Sequence, residues 1–190
     1  MFYVFSLKKF WRIFIPSIAI FLLCILGFTA FNLKFPLRYL DIIERYAEVH
    51  GVDPVLISSI INVESRFNRY AVSPVGASGL MQMMETTAVW VAEEMGIENF
   101  VYEDMIFDPE ININMGTWYI NRLINIYGEL SVALAAYNAG SGNVTSWLND
   151  PQFSKDNKTL FYIPFGETRR YVERVDRSMK VYDFLLRWRR

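Results

Sequence analysis

Asp53-Pro54-Val55-Leu56-Ile57-Ser58-Ser59-Ile60-Ile61-Asn62-Val63-Glu64-Ser65-Arg66-Phe67 reads as one apolar helix with a single carboxylate close to its end. Asp53 suits the N-cap, where its side chain accepts from free N–H groups, and Pro54 sets φ for the first helical position. Leu56, Ile60, Val63 and Phe67 then recur at spacings of four, three and four, which is a helical period. Glu64 sits at the border of that stripe. The residues three, four and seven before it are Ile61, Ile60 and Ile57, so its helical neighbours offer no polar partner. A poorly solvated carboxylate keeps its proton, and the carbonyl-rich end of a helix fraying near Asn68 pushes the same way. Arg66 and Arg69 are the nearby cations that could oppose this. A carboxylic acid protonated near neutrality is suited to general-acid work. From the helix pattern alone, a surface glutamate with solvent on one side is the plainer reading of the same residue.

On the N-terminal side, 21 uncharged residues lie between Arg12 and Lys34. That is the length needed to cross a hydrocarbon core of roughly 30 Å. Lys8, Lys9 and Arg12 precede this run, so the positive-inside rule predicts a cytoplasmic N-terminus and an extracytoplasmic domain beyond Lys34. The small-residue pattern of a cleavage site is poorly met at Phe28-Thr29-Ala30, so an uncleaved anchor is expected. The division is therefore residues 1–36, a short cytoplasmic tail with a transmembrane helix over 13–33, and residues 37–190, one domain in the cytoplasmic membrane's outer space. Cys24, the only cysteine, lies inside the apolar run, which excludes an internal disulfide and a cysteine-based metal site. His50 is the only histidine, so a histidine dyad or a multi-histidine metal site is also excluded.

Charge is uneven. Residues 41–154 hold 15 acids against 4 bases, and residues 155–190 hold 10 bases against 5 acids. The acidic body argues against nucleic acid as the main partner. The basic end reads either as a solvated helix face or as a surface for anionic wall polymer or lipid head groups.

Downstream of the membrane segment, Phe35-Pro36 opens a helix with Leu40, Ile43, Tyr46 and Ala47 on one face, closed by His50-Gly51. Beyond the Glu64 helix, residues 70–79 form a loop rich in glycine and proline. A helix is predicted from Leu80 to Met95-Gly96, then a loop over 97–107. Asp108-Pro109 caps a long helix with Ile113, Met115, Leu123 and Ile124, ended by Gly128. A helix from Leu130 to Tyr137-Asn138-Ala139-Gly140 is dense in Ala133, Ala135 and Ala136, which allow close approach. Asn143 to Leu148 is a short helix. Residues 149–166 are loop, with Phe161, Tyr162 and Phe165 directed at a partner or at the core. Glu167 starts a last helix with Tyr171, Val175, Val181 and Leu185 on one side. No strand run is present, so the fold class is all-α.

Four blocks in order carry a resemblance. They are Ile61-Asn62-Val63-Glu64-Ser65; Ala71 through Gln82, with Gly76-Ala77-Ser78-Gly79-Leu80-Met81-Gln82 at its end; Ala133-Leu134-Ala135-Ala136-Tyr137-Asn138-Ala139-Gly140; and Ile163-Pro164-Phe165 with Glu167-Thr168 and Tyr171-Val172. Asp108-Pro109 with Asn112-Ile113 falls between the second and third. Together they make the chain similar, over residues 38–180, to the catalytic domain of lytic transglycosylases of the soluble lytic transglycosylase group. The resemblance implies a lysozyme-like helical domain that cuts the β-1,4 bond between N-acetylmuramic acid and N-acetylglucosamine in peptidoglycan glycan strands. It leaves a 1,6-anhydro end and uses no metal and no cofactor. It makes Glu64 the acid and then the base, with Ser65, Met81, Gln82, Tyr137, Asn138 and Glu167 around the substrate. Gln82 can donate and accept, as sugar acetamides and hydroxyls require, or it can brace backbone. Tyr137 would hold Glu64 or the acetamide, or be a core tyrosine. Ser65 orients neighbours, since no base is available to activate it. Glu167 is a groove acid or a helix N-terminal charge. Two other readings stay open: a muramidase like the goose-type lysozymes, which admits water, and a binding module without turnover.

Overall fold

The structure, a computed structural model, describes residues 7–187. It divides into two compact units, Met1–Leu37 and Arg38–Arg190. In the first, α1 (Leu7–Lys34) contains the stretch Phe14–Lys34, 21 residues long and apolar enough to cross a membrane. Its large side chains, such as Phe21, Leu23 and Leu26, are exposed along its length.

The second unit is built from eight helices among the described residues: α2 (Leu40–His50), α3 (Pro54–Ser65), α4 (Glu85–Met95), α5 (Tyr102–Met105), α6 (Pro109–Tyr127), α7 (Leu130–Ala139), α8 (Ser141–Leu148) and α9 (Gly166–Arg187). The only strand-like pairings described are two isolated bridges, Val72 with Ser78 and Ser78 with Met83.

Helix α3 is the axis of this unit. Asp53 caps it through a 2.8 Å bond from the Val55 N–H, as the sequence predicts. Leu56, Ile57, Ser58, Ser59, Ile60 and Ile61 are all buried, so the helix is covered almost all round. Each of the three isoleucines contributes about 1.5–3 kcal/mol by leaving water. The main cover is α9, with α2 on another side. Asn62 Nδ2 donates to Ser178 Oγ of α9 at 3.4 Å. Helix α3 stops where Arg66 and Phe67 enter the left-handed region at φ 51° and 61°. The Phe67 ring is still buried, against Tyr182 of α9 at 6.1 Å between centroids. Helix α7, buried from Val132 to Ala136, packs against α6, α8 and α9, the close approach that its alanines allow.

Four local expectations need correction. The helix placed after Phe35-Pro36 begins only at Leu40. The helix expected from Leu80 begins at Glu85, because residues 80–84 are held as a loop by bonds from distant residues. The loop over 97–107 contains the one-turn helix α5. On α9, Tyr171 and Val175 are buried as expected, but the stripe continues through Ser178, Tyr182 and Leu186, with Val181 and Leu185 half-buried at its side.

Several of the bonds that hold the loop come from α5 and α6. Asn112, fully buried, accepts from the Met81 N–H at 2.7 Å and donates through Nδ2 to Ile106 O at 2.9 Å and Ser78 O at 3.3 Å. Gly79 has φ +85°, and a Cβ there would collide with the Asn112 amide and the Ile106 carbonyl. One turn along α6, Gly116 leaves the space that the Met81 side chain fills. The Tyr102 hydroxyl lies 2.8 Å from Met83 O and 3.0 Å from Gly76 O, bringing the two ends of the loop to one phenol.

Replacing Asn112 by alanine removes three buried bonds and leaves the Met81 N–H and the Ile106 carbonyl without these partners, while Ser78 O keeps its bond from the Met83 N–H. The expected loss is about 2–4 kcal/mol of unfolding free energy. Chemical denaturation of the purified protein measures it, and an unchanged midpoint would show that the loop holds itself.

Candidate active site

Glu64 lies in the last turn of α3, half-buried, where α9 and α7 converge on it. Burial is the main reason its pKa is raised from the ordinary 4.5 to about 7. The Tyr171 hydroxyl and the Arg174 guanidinium, both on α9, pull it down, and the charge of Glu167 pushes it up. Arg66 and Arg69, the cations adjacent in sequence, are not the ones that act. Arg69 sits over the Tyr70 ring instead, 4.9 Å from its centroid. The cation that matters is brought in by the α3–α9 packing and is exposed, so solvent weakens its pull.

Two tyrosines flank the acid with different commitments. Tyr137, at the end of α7, donates its hydroxyl proton to Met81 O at 2.8 Å, which ties α7 to the loop. Its own pKa is raised well above 10.0 by burial first and then by the charge of Glu64. With that proton used, Tyr137 can only accept from Glu64 or a ligand. Tyr171 is free of such a bond: its buried oxygen has no partner of full hydrogen-bond geometry, yet it faces Glu64 closely enough to lower the carboxyl's pKa. That contact is loose and strengthens when the carboxylate is charged. The sequence marks Tyr171 only as part of a motif and as a core position. Its role is invisible there because its partner is 107 positions away.

Tyr137 also belongs to a cavity of about 230 Å³ lined by Gln82, Met84, Thr87, Tyr119, Asn138 and Gly140 among others. Gln82, Tyr137 and Asn138 are thus brought together. Gln82 Nε2 donates to Ala71 O and Gly79 O, both at 3.0 Å, and so braces the loop, leaving its carbonyl end for a ligand. Glu167 is exposed on the first turn of α9, within electrostatic reach of Glu64. Ser65 and Met81 are placed differently. Ser65 is buried and its hydroxyl donates to Ile61 O at 3.1 Å within α3. The Met81 side chain is fully buried against Gly116, and its carbonyl is the acceptor for Tyr137. Both side chains serve the frame of the site.

An all-helical domain with one carboxyl whose pKa is raised by burial at the end of its central helix, facing a tyrosine that lines a cavity with Gln82 and Asn138, is of the lysozyme-like class. The chain belongs to the transglycosylase SLT domain family, whose pattern matches residues 41–160. It is 38% identical over 144 residues to the soluble lytic murein transglycosylase of Escherichia coli (strain K12), covering 75% of this chain and 22% of that protein. It is 35% identical over 174 residues to the membrane-bound lytic murein transglycosylase C of Edwardsiella ictaluri, covering 76% of this chain and 46% of that one. Among solved structures, an inactive mutant of lytic transglycosylase Slt from Pseudomonas aeruginosa superposes with TM-score 0.72 at 32% identity, over 82% of this chain and 25% of that chain. The 70 kDa soluble lytic transglycosylase of Escherichia coli gives TM-score 0.70 at 34% identity, over 80% and 25%. The chain therefore matches about a quarter to a half of the length of these relatives.

The raised pKa has a sign. Folded Glu64 binds its proton up to about pH 7, whereas unfolded Glu64 releases it near 4.5. Its favourable contribution is complete below about 4.5 and lost as pH rises through about 7. Glu64→Gln, which cannot ionise, is therefore expected to be more stable than the parent at pH 8, by on the order of 2–3 kcal/mol, with the gap closing toward pH 4.5. Thermal melts across that range read the difference, and a gap independent of pH would contradict the assignment.

Proposed function

We propose that the domain from residue 38 onward is a peptidoglycan lytic transglycosylase, cutting the bond between N-acetylmuramic acid and N-acetylglucosamine with Glu64 as its acid and base. The observation that carries this reading is a single carboxyl raised to about 7 by burial and framed by Tyr137 and Tyr171. Among the described residues, Glu167, on the first turn of α9, is the other acid whose charge reaches it. Glycosidases that use water work with a pair of carboxyl groups flanking the bond. A route with an internal nucleophile needs one.

In this reaction Glu64 gives its proton to the leaving glycosidic oxygen as the bond to the muramyl anomeric carbon breaks. The resulting carboxylate then takes the proton of the muramyl 6-hydroxyl while that oxygen bonds to the same carbon. Glu64 ends as it began and no water is consumed. Tyr171 donates to the carboxylate in the interval between the two transfers. Gln82 and Asn138 offer amide groups to the sugar acetamide, and Glu167 lines the groove beyond Glu64. Ser65 and Met81 support these positions from inside the fold.

We also assign α1 as a single-pass anchor in the cytoplasmic membrane that holds the domain on the outer side. Support comes from the apolar length of Phe14–Lys34, from Lys8, Lys9 and Arg12 before it, and from the membrane-bound relative.

Digestion of purified peptidoglycan by the full chain should release fragments with anhydro ends, weighed by mass spectrometry; reducing ends in their place would mean that water is admitted. Glu64→Gln should lower the rate by about a thousand-fold, within the usual range for a general acid–base. Because the first step needs the protonated acid, the rate should decline as pH rises past about 7. A rate that climbs through that region would assign the acid elsewhere.

A further inference from the structure

The segment between α8 and α9 places three large aromatic side chains on the surface within five residues: Phe161 is 58% exposed, Tyr162 47% and Phe165 49%. Folding gains little from them, and such a patch in a water-facing domain signals a partner. The rings are nonetheless held. Lys155 Nζ sits 5.5 Å from the centroid of Phe161, and the Arg169 guanidinium 5.0 Å from that of Tyr162. Arg169 also donates to Ile163 O at 3.0 Å, and Phe153 stacks on Tyr162 at 6.2 Å. Phe165 stands edge-on to the buried Trp147 at 4.9 Å. Rings fixed in advance lose little freedom when a ligand lands on them.

What lands is indicated by where the patch leads. Phe165 is two residues before Glu167, whose charge is felt by Glu64, so the aromatic segment is continuous with the turn of α9 that meets the acid. A pyranose ring presents a flat face of C–H groups that packs on an aromatic face. The flanking Lys155 and Arg169 suit a strand carrying carboxylates. The local acid Asp156 is occupied in its own turn by Thr159, the Lys158 N–H and Ser154. We propose that Phe161 and Phe165 form a stacking shelf for sugar rings of the glycan strand beyond the bond cut at Glu64, favouring long strands over short ones. This rests on the glycan-cleaving reading above.

The test uses the full chain in neutral detergent, carrying Glu64→Gln so that the ligand survives. Its affinity is measured for a tetrasaccharide and for long glycan strands from purified peptidoglycan. The parent should prefer the long strands. Phe161→Ala, chosen because its ring contact is with the exposed Lys155, should cut that preference by about five- to ten-fold. Phe161→Trp should keep it. An unchanged preference in Phe161→Ala overturns the shelf alone. Absence of binding to either glycan by the parent overturns both the shelf and the function it rests on. If Phe161→Ala instead loses binding to phosphatidylglycerol vesicles with its glycan preference intact, the patch belongs to a lipid surface and the shelf is wrong.

Discussion

The cost of holding one carboxyl out of water organises this domain. Glu64 can be desolvated only if α3 is apolar around it and α9 lies along α3 for most of its length. The run of isoleucines at 57, 60 and 61 and the packing of α9 meet that condition. The same packing delivers Tyr171, Arg174 and Glu167 to the acid. Burial outweighs the opposing pulls because Arg174 is exposed and Tyr171 makes only a loose contact, so the balance falls near neutrality and not at either extreme. A buried ion pair at this position would have left Glu64 permanently charged, unable to donate.

The second half of the site is a loop that behaves as part of the core. Residues 78–83 have little secondary structure, but their backbone groups are bonded by Asn112, Tyr102, Tyr137 and the Gln82 side chain. Tyr137 couples this loop to α7, and its ring stands beside Tyr119 of α6 at 5.4 Å. The groups that would meet a sugar are thereby fixed before any ligand arrives, which lowers the ordering needed on binding.

Much of this was legible in the sequence where the determinants are local. Asp53 and Asp108 cap the helices assigned to them, the apolar period of α3 is real, and the isoleucines three, four and seven positions before Glu64 are all buried. The membrane-length run and the all-helical class were equally readable. What escaped depends on contacts across the chain. Leu80 to Met84 has the composition of a helix, yet Asn112 captures the Met81 N–H and Gln82 takes φ 49°, so the helix cannot start until Glu85. The neighbours in sequence, Arg66 and Arg69, gave no guide to the cation near Glu64, because Arg174 arrives only when α9 docks. Ser65 and Met81 carry motif positions but spend their side chains inward. No local pattern distinguishes an inward motif residue from one facing a ligand.

The phenol of Tyr102 has a further consequence for how a polymer could be handled. By gathering the Gly76 and Met83 carbonyls, it turns the loop into a braced sidewall in place of a hinged flap. On the reading proposed above, a chain-like molecule would meet a wall that is already set, with no ordering of this loop left to wait for.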